Sequence, residues 1–94
     1  MTDLLNDFKN RMHITHTGED GSIEKLLSFS VAYVKSKCGN YEEYGDDIKL
    51  RARELVLERT RYSYNDAVEY FEDNFLSDII SLGVEMAGVD NVEE

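Results

Sequence analysis

The 94 residues of this chain include no proline, and this absence constrains the fold more than any other feature of the sequence. Average usage of roughly 5% would give several prolines, and each would end or kink a helix. Apolar residues recur at helical spacing, and no segment shows the sustained apolar–polar alternation of a strand. The sequence therefore predicts an all-α fold: one domain over residues 1–94, a small bundle of four or so helices with one long central helix.

Periodicity and helix-ending residues place three of these helices. The first is expected over residues 3–12 and the second over residues 22–37, with a polar loop between them. The last is expected over residues 74–87, because Gly88 is a residue type that commonly follows a helix end. Residues 89–94 then read as a flexible acidic tail.

The long central helix is predicted to start at Asp46 or Asp47, either of which can cap it. Two apolar stripes stay in helical register through Tyr70, which favours a single helix of about 26 residues, roughly 40 Å long. The alternative is a break at Asn65 or Asp66, both of which can cap a separate helix.

Charge is divided unevenly along the chain. Residues 1–61 hold all ten Lys and Arg residues against eleven acids, whereas residues 62–94 hold nine acids and neither Lys nor Arg. A surface of this kind repels nucleic acid phosphates, and the excess of carboxylates also promotes solubility. The apolar runs are too short to span a membrane, and a single cysteine fits a reducing setting, so no membrane partner is expected.

Catalytic and metal-binding patterns are weak. His13 and His16 have the spacing of a ligand pair but lie in the predicted loop, without a third ligand at a suitable distance along the chain. Cys38 ends an apolar helical face and reads as a small buried hydrophobe. The acidic residues of the 42–47 segment do not follow the order of a Ca²⁺ loop. The sequence predicts no catalytic residue, no metal site and no cofactor.

The candidate contact residues are therefore partner-binding ones. Arginines of the central helix point to different sides, so they do not form one phosphate-tracking stripe, but guanidinium and aromatic groups are favoured at protein interfaces. The end of the chain is expected to become ordered on docking. The candidates are Arg51, Arg59, Arg61, Tyr64, Met86, Val89 and Val92.

Several stretches together resemble a known family: LNDFKNRMHITH at residues 5–16, AYV at 32–34, KCG at 37–39 and RELVLERTRYSYNDAVEYF at 53–71, followed by the closing helix. The chain resembles the small head–tail connector (adaptor) proteins of long-tailed bacteriophages, in the version carried by phages of Gram-positive bacteria. The resemblance covers nearly the whole chain.

This resemblance implies an adaptor in the neck of the virion, made in the host cytoplasm. Copies would form a homo-oligomeric ring of about a dozen that docks on the portal protein at the capsid vertex. The ring would meet a downstream neck or tail-completion protein, and DNA would pass through its channel without specific binding.

A small acidic regulatory module, such as a DNA mimic, is the alternative function. It would use the same acidic segment, with carboxylates spaced along one exposed face as phosphates are. The apolar positions Val68, Phe71, Phe75 and Ile79 interrupt such a face, which counts against this interpretation.

Overall fold

The computed structural model describes residues 2–92, and side chains from residue 3 to residue 88. Within that range it is all-α, as predicted, with four helices and no strand. Short 3₁₀ turns at Tyr41–Glu43 and Val68–Tyr70 precede the last two helices. The helices are α1 (Thr2–Met12), α2 (Asp20–Cys38), α3 (Asp46–Tyr64) and α4 (Phe71–Val92).

The central pair of the bundle is α2 and α3, and the outer helices α1 and α4 pack on different sides of α3. Arg51 reaches α4, where its Nη1 donates to Glu85 Oε1 at 2.6 Å. Arg53 reaches α1, where its Nη2 donates to Asp7 Oδ2 at 2.5 Å. Two residues correspond to about 200° around an α-helix, so the two arginines point to nearly opposite sides.

One apolar core joins all four helices. Its fully buried members come from the face of each helix that the sequence periodicity marks as apolar. Gly39, which follows α2, has φ +116° and so has the backbone conformation that glycine adopts most easily. The most deeply buried apolar side chains are Phe8, Ile23, Leu27, Val34, Ala52, Val56, Phe71, Leu82 and Met86.

The end of α3 corrects the prediction of one unbroken 26-residue helix. Asp66 has φ +61°, and the amides of Asp66 and Ala67 donate to the carbonyls of Ser63 (3.0 Å) and Tyr62 (2.8 Å). This pair of bonds is the Schellman arrangement, which closes the last turn of a helix. The alternative of a break at Asn65 or Asp66 is therefore correct in position, although these residues close α3 rather than cap a separate helix.

An aromatic cluster explains why the chain turns there. Tyr62 makes edge contacts with Phe71 and Phe75 at ring-centroid distances of 5.7 and 5.8 Å, and the two phenylalanines stack at 4.8 Å. In an unbroken helix, Tyr62 and Phe71 would lie about 13 Å apart along the axis. Reversal of the chain brings these rings together, and such pairs contribute about 0.5–1.5 kcal/mol each beyond their buried area.

The last helix is longer at both ends than the predicted residues 74–87. Helix α4 starts at Phe71 and continues through Gly88 to Val92. A glycine ends a helix efficiently only when it takes a positive φ, and among the described glycines only Gly39 does. Inside a helix, glycine costs about 1 kcal/mol relative to alanine. The structure describes no side chain beyond residue 88, so the flexible acidic tail over residues 89–94 stays a prediction.

Candidate protein-docking surfaces

The outer face of α4 carries an exposed apolar stripe. Leu76, Ile80 and Val84 recur every four residues, and their exposed fractions are 44%, 54% and 66%. The opposite face of the same helix is buried through residues such as Leu82 and Met86. Helix α4 is therefore apolar on two faces, and the bundle covers only one of them. We call the exposed residues Leu76, Ile80 and Val84 the α4 stripe.

Polar side chains border the α4 stripe. Asp73, Ser77 and Ser81 lie beside Leu76 and Ile80 on one side of it. On the other side lie Lys37 and Cys38 of the C-terminal turn of α2, together with Glu72 of α4 itself. An apolar strip with polar borders has the layout of a protein interface, which is apolar at its centre and polar at its rim.

Contacts from α2 fix the start of α4. The Tyr33 hydroxyl donates to Glu72 Oε1, and Lys37 Nζ lies 3.6 Å from the same oxygen. Burial and the bond to Glu72 raise the pKa of Tyr33 to about 12. Burial also raises the pKa of Cys38, whose Sγ donates to the carbonyl of Ile79 at 3.5 Å. Cys38 is thus a packed thiol rather than an activated nucleophile.

A second apolar surface lies where α1, the Tyr41–Glu43 turn and α3 meet. It is a groove of about 540 Å³. Leu50 is its most exposed apolar residue, with an exposed fraction of 64%. We call it the Leu4–Leu50 groove; it is lined by Leu4, Tyr41, Glu42, Asp46, Lys49, Leu50 and Arg53.

The Leu4–Leu50 groove includes basic side chains. Lys49 Nζ lies 3.9 Å from Asp46 Oδ1, a loose pair in which the carboxylate is almost fully exposed. Arg53 binds Asp7 of α1, as described above. Exposed ion pairs of this kind contribute about 0–1 kcal/mol, so their charged groups can exchange partners at little cost.

Two of the predicted contact residues instead bind carboxylates of the chain itself. Arg51 binds Glu85 and lies 3.4 Å from Ser81 Oγ, linking α3 to α4. Its hydrogen bond to Glu85 raises its pKa. Arg61 Nη2 donates to Glu58 Oε1 at 2.7 Å within α3.

Arg59 and Tyr64 lie on other sides of the bundle. Arg59 is the one arginine without a carboxylate partner in the part of the chain that the structure describes. Its Nη1 donates to Ser30 Oγ at 3.2 Å, its guanidinium lies 4.5 Å from the Tyr33 ring centroid, and burial lowers its pKa. The Tyr64 hydroxyl donates to Glu19 Oε1 at 2.7 Å. The structure therefore does not bring the four predicted residues into one site.

The remaining predicted residues lie on α4. Met86 is buried in the core, so its side chain is not available on the surface of this chain. Val89 and Val92 belong to the last turns of α4, but their side chains lie outside the described range.

The α4 stripe and the Leu4–Leu50 groove were missed by the sequence reasoning. The stripe has a readable signal, since α4 has more apolar positions than one buried face needs. The groove has none, because Leu4 and Leu50 come together only through the packing of α1 on α3.

The described range contains no group of three or more His, Cys, Asp or Glu residues that could hold a metal ion. His13, one of the two histidines with the spacing of a ligand pair, follows the end of α1 with φ +60°. No described helix is both long enough and apolar enough to cross a membrane.

The fold and these surfaces define a small helical protein with apolar faces left open for assembly. A family model described as phage gp6-like head-tail connector protein matches residues 2–85. The chain therefore belongs to this family, whose members are structural components of the virion at the head–tail junction. Comparisons with curated proteins and with solved structures gave no match.

Proposed function

We propose that this chain is a connector subunit that docks on the portal at the capsid vertex. Copies form a ring of about a dozen that extends the DNA channel toward the downstream neck or tail-completion protein. The observation that carries the proposal is the α4 stripe, which is exposed in the single chain of a connector-family member.

The energetics support use of this stripe in assembly. Full burial of an exposed Leu, Ile or Val side chain contributes about 1.5–3 kcal/mol. Three such residues along one helix give an interface the apolar centre that protein interfaces have. A ring multiplies this gain, because each copy makes the same contact.

Charge supports passage of DNA without retention. Residues 62–94 hold nine acids and neither Lys nor Arg, so the α4 side of the molecule repels phosphates. An acidic regulatory protein or DNA mimic would use the same charge, but it needs an uninterrupted row of carboxylates. The α4 stripe occupies the outer face on which such a row would have to lie.

The test is to mix the purified protein with portal particles of the same phage and image the complex by electron microscopy. We expect a ring of density on the portal, and its loss when Ile80→Asp places a charge in the α4 stripe. Phe29→Asp is the matched control, because Phe29 is 65% exposed on α2 and belongs to neither surface. Failure of the unmodified protein to bind the portal at any salt concentration would refute the proposal.

A further inference from the structure

We infer that the α4 stripe of one copy packs into the Leu4–Leu50 groove of the next copy. This inference rests on the proposed connector function and deepens it, because it names the occupant of each surface. The contact is head-to-tail: each copy uses its stripe toward one neighbour and its groove toward the other.

The positions of the two surfaces favour this arrangement over a symmetric dimer. Arg53, which lines the groove, points nearly opposite to Arg51, which contacts α4, so the groove and the outer face of α4 lie on different sides of the molecule and are not covered by one partner surface. A two-fold dimer through the α4 stripe would leave Leu50 of both copies exposed to water. A head-to-tail contact covers both surfaces in every copy, and it gives a ring if the rotation between neighbours closes.

Charge favours the same pairing. The α4 side contributes carboxylates, including Asp73 beside the stripe, and residues 62–94 contain neither Lys nor Arg. The groove is lined by Lys49 and Arg53 and also by Glu42 and Asp46, so basic and acidic residues are equal in number there. Stripe against groove places the carboxylates of the α4 side near Lys49 and Arg53, whereas stripe against stripe would bring two acidic helices together.

The two surfaces also match in length. The α4 stripe runs from Leu76 to Val84, about 12 Å along the helix. The part of α3 that lines the groove runs from Asp46 to Arg53, about 10 Å. One helix face can therefore lie along the groove, with its apolar side chains against Leu4 and Leu50.

A mixing experiment tests this pairing. Leu50→Asp leaves the stripe intact, and Ile80→Asp leaves the groove intact. By sedimentation velocity, each variant alone should be monomeric at concentrations where the unmodified chain forms larger species. An equimolar mixture of the two should form a one-to-one dimer and nothing larger, because one intact stripe and one intact groove remain.

Two outcomes of this experiment decide against the inference. If Leu50→Asp alone still dimerises, the stripe packs against another stripe. If the mixture stays monomeric while the unmodified chain assembles, the two surfaces do not meet. The Phe29→Asp control should assemble as the unmodified chain does, and circular dichroism should show that all three variants keep their helix content.

A cross-linking experiment on the portal covers the case in which rings form only there. In a Cys38→Ser background, L50C and I80C are mixed with portal particles under mild oxidation. The expected product is a disulfide between position 50 of one copy and position 80 of another. Portal binding without this product would overturn the inference and leave the proposed function intact, whereas absence of portal binding would refute the proposed function itself.

Discussion

The hydroxyls of Ser30 on α2 and Thr60 on α3 lie 3.0 Å apart in the fully buried centre of the bundle. Thr60 Oγ1 also lies 2.8 Å from the carbonyl oxygen of Val56, and Arg59 donates to Ser30 Oγ. Since Thr60 has one hydroxyl proton and the carbonyl can only accept, every group is satisfied when Arg59 donates to Ser30, Ser30 to Thr60, and Thr60 to Val56. These bonds fix the register of α2 on α3.

The Ser30–Thr60 pair should therefore be coupled in stability. Thr60→Val keeps the shape but leaves the Ser30 hydroxyl proton without its acceptor, and it should cost about 1–3 kcal/mol in urea unfolding. Ser30→Ala should cost a similar amount, because Arg59 loses its acceptor. The double variant should cost less than the sum of the two, since the buried groups are removed together. Additive losses would mean that the two hydroxyls do not interact.

The turn between α3 and α4 predicts a stabilising substitution. Asp66 holds φ +61°, which costs a residue with a Cβ more than it costs glycine. Asp66→Gly should raise the free energy of unfolding by about 0.5–1 kcal/mol, the larger freedom of glycine in the unfolded chain offsetting part of the gain. His13→Gly at the end of α1, with φ +60°, should behave in the same way. A thermal melt in which both variants lose stability would contradict this.

This turn also shows how far sequence reasoning reaches. The helical spacing of apolar residues correctly predicted the all-α fold and buried positions such as Ala52, Val56 and Phe71, although Leu50 and Tyr70 of the same stripes are exposed. Periodicity reports spacing along the chain, and it is the same whether the backbone continues or reverses and packs back on the same core. A left-handed aspartate has no strong sequence signal, so the break could only be named as an alternative.

A partly buried ion-pair cluster predicts a pH dependence. Glu58 accepts from Arg61 and also from Arg11 of α1, with Nη1 of Arg11 at 2.8 Å. Burial opposes ionisation of Glu58, but the bonds from Arg61 and Arg11 outweigh it, and its pKa lies below the ordinary value of 4.5. A lowered carboxyl pKa stabilises the fold above that ordinary value, and this stability is lost as the pH falls through the folded-state pKa.

Glu58→Gln should therefore destabilise the protein at pH 7 by about 1 kcal/mol. The expected loss of unfolding free energy is small because the cluster is partly open to water, which weakens each ion pair. The difference between variant and unmodified protein should vanish as the pH falls below the folded-state pKa, where Glu58 is itself neutral. Glu42→Gln, at an exposed pair with Lys35, is the control and should have the smaller effect. A difference that persists unchanged at low pH would show that packing, not charge, is responsible.

The candidate surfaces were less predictable from sequence than the fold. The sequence predicts Arg51 and Arg61 as contact residues because arginine is common at interfaces, but a long guanidinium side chain is equally suited to bind carboxylates of its own chain. Which use it has depends on whether a carboxylate such as Glu85 or Glu58 comes within reach after folding. The exposed face of α4, in contrast, follows from an excess of apolar residues over what one buried face can hold.

The two faces of α4 should therefore separate folding from assembly. Leu82 is buried, and Leu82→Ala should cost about 2–5 kcal/mol of unfolding free energy through lost contacts and a cavity. Ile80 is exposed, and Ile80→Ala should change that free energy by no more than about 0.5 kcal/mol. Assembly on portal particles should respond in the opposite order: Ile80→Ala should weaken it at least fivefold, as loss of a central interface residue worth about 1 kcal/mol or more does. Leu82→Ala, assayed well below its melting temperature, should assemble nearly as the unmodified chain does. If Ile80→Ala proved the more destabilising substitution, the outer face of α4 would be part of the fold rather than a surface for a partner.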